Sequence, residues 1–424
     1  MTYAQAVEAI AALEPRGWRL CLDRMWEFCR RAGLEDALGA PGGPQFIHVA
    51  GTNGKGSTTA FVESILVAHG YHTGGFYSPY VVDYRERFQL DGHLIPKELL
   101  AQLTQELLPI GESLAETDFG GVTKFEFEAG LGFLFWKRSK CDWVALEVGL
   151  GGRLDATNVV TPRCSVIVSI GLDHVSILGD TLSRIAVEKA GIIKPGIPVV
   201  VGEMEPGALE AIEQRAMECQ SEIWRFGQEI RLEDGWSVVT PAGRHDGLMP
   251  SLEGVMQPHN MALAVASLDA AGVPLNDTFL AKGVREAFAP GRFQLVRYQG
   301  SQVVLDGAHN RDAGVALLRS IDKRFGNRPW RLVTNMLSGH DPLEFYELFR
   351  GRVRSVDLAP IDFVRATPVD VAAKLLEGML PNIRTHASSL EAYQTACNEA
   401  ASDDLVVVTG SNYLVGDILR AIRD

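Results

Sequence analysis

Residues 51–58 read GTNGKGST, a glycine-rich run holding one lysine and several hydroxyl side chains. Glycines let backbone N–H groups approach a phosphate closely, and a lysine adds charge for the outer phosphates of a nucleotide. The spacing is irregular for such a loop. The glycine expected five positions before the Gly54-Lys55 pair is Val49, and Gly56 displaces the hydroxyl expected straight after the lysine. The run is either an ordinary glycine-rich turn or a variant phosphate cradle with Gly54, Lys55, Gly56 and Ser57 as its contacts.

Four further segments place reactive residues after apolar runs. In LEVGLGGRLDATN (146–158), Glu147 ends such a run; a dinucleotide fingerprint would need glycine at 154, which is Leu154, so Mg²⁺ held with nucleotide phosphates suits the carboxylate better. The alternative is a carboxylate that only caps a loop. In SIGLDHVSILGDTLSRIAVEKAGIIKPG (169–196), Asp173 and His174 form a polar tip, and Glu188 and Lys189 follow on a helical pattern. A lysine on such a helix is ordinarily a solvated face. LDGAHN (305–310) offers Asp306 and His309, and YSPYVVDYRERFQLDG (77–92) offers Ser78 and the guanidinium groups of Arg85 and Arg87.

These residues need a scaffold that brings distant segments to one edge. β-Branched apolar runs at 46–50, 143–149, 165–171, 198–203, 302–307, 330–336, 355–360 and 405–410 predict buried strands. Helical patterns lie between them at 58–70, 125–139, 183–193, 260–272 and 372–380. Such alternation predicts an α/β protein with mainly parallel sheets, in which ligands gather beyond the carboxyl ends of strands. Pro290-Gly291 interrupts a helical pattern within AFAPGRFQLV (287–296), predicting a domain boundary there; residues 228–257 read as hairpins and loop.

The 424 residues allow two or three domains. A formal net charge of −13 argues against nucleic acid as a partner. Six scattered cysteines without a CxxC pair read as reduced thiols of a cytoplasmic protein, and the N-terminus lacks a leader pattern. No apolar run approaches the ~18 residues of a membrane span.

Taken in order, HVAGTNGKGST, YSPYVVDYRER, LEVGLGGRLDATNVV, SIGLDHVSILGDTL, EKAGIIKPGIPVV, PGRFQLV, LDGAHN and VTGSNYLVGD resemble the motifs of the folylpolyglutamate synthase/dihydrofolate synthase family, a branch of the Mur ligases. The resemblance spans nearly the whole chain. It implies an N-terminal P-loop ATPase-type domain (1–293) with a mainly parallel sheet and a smaller, Rossmann-like C-terminal glutamate-ligase domain (294–424). ATP would contact Gly54, Lys55, Gly56, Ser57, Asn260, Arg292, Asp306 and His309. Mg²⁺ would be held by Ser78, Glu147 and His174, with Lys55, His174 and Lys189 as the catalytic positions. Lys189 matches a lysine carbamylated by CO₂. Pterin contacts would fall near Trp18, Arg19 and Leu20, on Thr123, Phe125 and Glu126, and on Arg153, Leu154, Asp155 and Ala156. Tyr80 departs from the family's SPH triplet, and Arg19 stands where an acidic or neutral residue is usual.

The implied reaction is ATP-dependent addition of L-glutamate to a folate carboxylate through an acyl phosphate. Tetrahydrofolate is the expected acceptor, and dihydropteroate a second one. A monovalent cation such as K⁺ is an optional cofactor, and the enzyme is expected to be a cytoplasmic monomer acting on small molecules. A GTPase switch would need an Asn-Lys-x-Asp motif, which the sequence lacks. Another Mur-type amino-acid ligase and a P-loop small-molecule kinase remain as alternatives.

Overall fold

The computed structural model describes residues 1–14, 21–339 and 341–422. Its first sheet is built from β1 (Gln45–Ala50), β2 (Thr73–Phe76), β3 (Phe88–Leu90), β4 (His93–Leu94), β5 (Trp143–Glu147), β6 (Cys164–Ile167), β7 (Val199–Val201) and β8 (Ile223–Arg225). The strand order is β4-β3-β2-β5-β1-β6-β7-β8. Strands β2, β5, β1, β6, β7 and β8 run parallel, and β3 and β4 add an antiparallel edge. The central strands are buried along almost their whole length because helices cover both faces, which explains their unbroken apolar runs.

A small antiparallel sheet follows, from β9 (Arg231–Glu233), β10 (Ser237–Thr240) and β11 (Gly243–His245). The second large sheet contains β12 (Gln294–Tyr298), β13 (Ser301–Leu305), β14 (Trp330–Thr334), β15 (Val353–Leu358), β16 (Ile383–Thr385) and β17 (Leu405–Thr409). Its order is β12-β13-β17-β14-β15-β16, parallel except for the β12–β13 hairpin. Each predicted strand and helix is present, and the hairpins expected within 228–257 are β9–β11.

Register fixes the active edge. Val49 of β1 pairs with Glu147 of β5, and Ala50 pairs with Ile167 of β6, so all three strands end at one level. The loops that follow them therefore share one rim. Strand β2 has the sequence TGGF, which no apolar pattern would reveal. Its glycines are required by packing: a Cβ on Gly74 would lie 2.4 Å from the Trp136 ring, and one on Gly75 2.4 Å from the Glu63 carboxylate.

Trp136 anchors the core on that side. It is fully buried, meets Phe76 and Phe133 edge-on, and donates its indole N–H to Gln89 O at 3.0 Å. Trp136→Ala should cost about 3–5 kcal/mol through the cavity it leaves. Urea unfolding monitored by circular dichroism checks this, and an unchanged midpoint would contradict the packing described.

Candidate active site

The 51–54 loop leaves β1 and enters the helix Lys55–Ala68, so its amides point from a helix N-terminus into a cavity of about 220 Å³. Gly54 is left-handed, with φ +84°, and a Cβ there would lie 2.7 Å from both Asn260 Oδ1 and Val168 Cγ1. A Cβ on Gly56 would sit 3.5 Å from Glu147 Oε2 and 3.8 Å from Arg292 Nη2. The unusual glycine spacing thus lets Asn260, Glu147 and Arg292 approach the loop from three directions. Lys55 Nζ donates to Gly51 O at 3.0 Å and Thr52 O at 3.2 Å.

Lys189 is buried on the helix Leu182–Ala190, and its Nζ also donates to Gly51 O, at 3.0 Å. Burial, then the neighbouring charge of Lys55, lowers its pKa to about 7. Its side chain is therefore no solvated face. Glu147, at the end of β5, is buried; its Oε2 accepts from Ser78 N at 2.9 Å, and burial raises its pKa against the pull of Lys55. His174 is left-handed at φ 50°, which turns its ring to the rim shared by two cavities.

Glu147, Ser78 and His174 fit a hard divalent cation in donor chemistry: a carboxylate, a hydroxyl and an imidazole. Among the described residues no three His, Cys, Asp or Glu side chains form a self-sufficient metal cage. An ion here would complete its shell with phosphate oxygens and water, the usual manner of Mg²⁺ at nucleotide sites.

The second sheet supplies the opposite wall. Asp306, just past β13, accepts from Phe293 N at 2.8 Å and Ala308 N at 2.9 Å, tying the inter-sheet connection to the strand end. Desolvation raises its pKa and Arg292 opposes the rise. Asn53 and Asn310 exchange amide hydrogen bonds of 3.1 Å in both directions across the cleft. Asn310 also donates to Asp173 Oδ2 at 3.2 Å, and His309 Nε2 lies 3.9 Å from the same oxygen. Every residue expected to contact ATP or metal, and Lys189, lines this one cavity. The Asn53–Asn310 bridge went unnoticed in the sequence, although both residues stand inside recognised motifs.

A second cavity, of about 290 Å³, adjoins the first. Ser78, His174, His309 and Asn412 line both. Thr123, Phe125, Glu126, Leu154, Asp155 and Ala156 line the second. Glu126 is committed to Arg24 and to capping its own helix through Thr123, and Asp155 to Thr157 and Leu150, so these carboxylates shape the wall. Arg153 is a correction: its side chain is half exposed, pairs with Glu188 at 2.8 Å and lines neither cavity. Leu154, the next residue, lines the second cavity instead. The expected contacts at Trp18, Arg19 and Leu20 lie outside the described residues. Arg87, whose guanidinium the sequence offers for a carboxylate, is buried beside Glu128 at 3.4 Å and also lines the second cavity.

Comparison with known proteins places these features in company. A family model described as Mur ligase, glutamate ligase domain, matches residues 291–412. The dihydrofolate synthase/folylpolyglutamate synthase of Bacillus subtilis is 34% identical over 390 residues, covering 89% of this chain and 90% of that protein. The structure of Escherichia coli FolC in complex with DHPP and ADP superposes with a TM-score of 0.88 at 32% identity, covering 100% of this chain and 98% of that one. The bifunctional folylpolyglutamate synthase/dihydrofolate synthase of Yersinia pestis, complexed with AMPPNP and a Mn ion, gives 0.87 at 31% identity, with 100% and 98% covered.

Gly54→Ala should weaken ATP binding roughly tenfold or more, because its Cβ would displace Asn260 and its backbone is left-handed. Calorimetric titration with a non-hydrolysable ATP analogue measures this. Wild-type affinity in the variant would show that the 51–54 loop is not the phosphate cradle.

Proposed function

The chain belongs to the folylpolyglutamate synthase/dihydrofolate synthase family of Mur-type ligases, and from that premise we propose which of its residues perform the family's reaction. The enzyme is an ATP-dependent carboxylate–amine ligase that joins L-glutamate to a folate carboxylate. ATP and a divalent metal ion serve it. The observation that carries the residue assignments is the junction of the two cavities, where Ser78, His174, His309 and Asn412 line both.

ATP lies in the first cavity, with its phosphates on the amides of 54–57 and Lys55, and its nucleoside end toward Asn260, Arg292, Asp306 and His309. A folate carboxylate reaches the junction from the second cavity, past Phe125 and Leu154. A carboxylate oxygen attacks the γ-phosphorus, the bond to ADP breaks, and an acyl phosphate forms. The amine nitrogen of L-glutamate then adds to the acyl carbon, and phosphate leaves with one former carboxylate oxygen as the nitrogen gives up its proton. Lys55 and Arg292 offset charge on the phosphates, and the fixed loop aligns them, the main contributions a protein makes to phosphoryl transfer. Mg²⁺, when held by Ser78, Glu147 and His174, supplies further neutralisation of the phosphate oxygens.

Lys189 is assigned as a carbamylation site. Its amine, with a pKa near 7, is substantially neutral at physiological pH and can attack CO₂, losing a proton to leave a carbamate anion. That change replaces repulsion toward Lys55 with attraction. The domains are assigned to 1–293 for ATP binding and 294–424 for the ligase half, supported by the start of the second sheet at Gln294. The protein is further read as a cytoplasmic monomer with K⁺ as auxiliary cation; six free cysteines support the reducing compartment. Among the described residues no helix is long and apolar enough to cross a membrane.

ADP release in the presence of Mg²⁺ and L-glutamate should depend on tetrahydrofolate, and a parallel assay with dihydropteroate decides the second activity. ADP release that ignores both pterins would sink the folate reading. Lys55→Ala should abolish turnover with the fold retained, and unchanged activity would refute its role. Lys189→Ala should be inactive and partly restored by short carboxylic acids, while wild-type activity should fall as pH drops through about 7 and the amine takes up its proton. An active enzyme whose intact mass and peptide map show unmodified Lys189 would refute carbamylation.

A further inference from the structure

Residues 78–83 join the two halves of the molecule. Ser78 and Pro79 stand at the junction and line both cavities. Ser78 N donates to Glu147 Oε2 at 2.9 Å, which ties that end of the segment to the tip of β5. Val81 and Val82 belong instead to the core of the second half, buried with Val303 and Leu305 of β13 and with Val415 and Ile418 of the helix Asn412–Ala421. Three residues separate Ser78 from Val82, too short a tether to absorb a displacement of either end.

Each half grips one edge of this segment. The amides are held from the first half: the Glu86 carboxylate accepts from Val81 N at 2.8 Å, Val82 N at 3.2 Å and Asp83 N at 3.1 Å. The carbonyls are held from the second: Arg420 Nη1 donates to Val82 O at 2.7 Å and to Val81 O at 3.4 Å. Both grips are charge-assisted. Asp417, on the same helix as Arg420, pairs with Arg420 Nη2 and orients the guanidinium. The helix comes this close because position 416 is glycine: a Cβ on Gly416 would lie 1.8 Å from Val81 O. Tyr80 adds an aromatic link between the halves, meeting Tyr84 edge-on at 5.5 Å and Tyr413 edge-on at 6.2 Å.

We propose that Glu86 and Arg420 are positioning residues for the Ser78 hydroxyl: acting through the 81–83 backbone, they hold that oxygen beside Glu147 and make the metal site depend on how the two halves meet. This role rests on the metal assignment above and adds what keeps its hydroxyl in place. Neither side chain lines either cavity, so both act through the segment and not on a ligand.

Mn²⁺ is the probe, titrated into the full chain held in excess over AMPPNP, with free Mn²⁺ read by electron paramagnetic resonance so that no turnover is needed. Arg420→Met and Glu86→Ala should each weaken Mn²⁺ binding roughly threefold to tenfold, a fraction of what losing a charged hydrogen bond costs outright. Arg420→Lys and Glu86→Gln, which keep part of each grip, should fall between those variants and wild type. Affinity for AMPPNP in EDTA should stay within about twofold, as for sites that share no partner. In a Ser78→Ala background Arg420→Met should add nothing, because residues that act through one group are not additive. Wild-type Mn²⁺ affinity in either Arg420→Met or Glu86→Ala would overturn the inference and leave the metal assignment standing, as would a loss that persists undiminished in the Ser78→Ala background. Wild-type Mn²⁺ affinity in Ser78→Ala itself would overturn both.

Discussion

The ammonium groups of Lys55 and Lys189 both donate to the carbonyl oxygen of Gly51, each at 3.0 Å, in an enclosed cavity. Bringing two like charges together away from water costs several kcal/mol unless anions answer them. The surrounding structure follows from that constraint. Burial lowers the pKa of both lysines, that of Lys189 to about 7; Glu147 and Asp173 oppose the shift at Lys55, and Asp173 and Asp155 oppose it at Lys189. Triphosphate oxygens would discharge Lys55, and a carbamate would convert Lys189 from a competitor into a partner. The pocket is therefore organised around charge that arrives with its ligands.

Holding that arrangement requires two sheets to present their carboxyl ends to one another. The level ends of β1, β5 and β6 align the phosphate loop, Glu147 and Asp173 on one side. On the other, the ends of β13 and β17 bring up Asp306 and the helix that begins at Asn412. The reciprocal Asn53–Asn310 amide pair and the Asp306 bonds to the connection fix how the halves meet. The two cavities are separate and meet at their junction. That geometry suits a reaction in which a phosphoryl group crosses from one ligand to the other.

Much of this was legible in the sequence. The β-branched runs marked the buried parallel strands because both faces of each sheet are covered, and the resemblance pointed to Lys55, Glu147, His174, Lys189, Asp306 and Asn260, which line one cavity. What escaped detection has physical causes. Strand β2 is glycine-rich because Trp136 and Glu63 press against it, so it lacks an apolar signature. Arg153 sits among inward-facing neighbours, yet the loop turns it outward to Glu188, and spacing alone does not report that turn.

The central claim is that the γ-phosphoryl group passes to a carboxylate oxygen at the junction of the two cavities. Single-turnover reaction with tetrahydrofolate whose glutamyl carboxylates carry ¹⁸O measures this directly, with the released inorganic phosphate read by mass spectrometry. Transfer through an acyl phosphate predicts one ¹⁸O in each phosphate released. Phosphate free of the label would contradict the account.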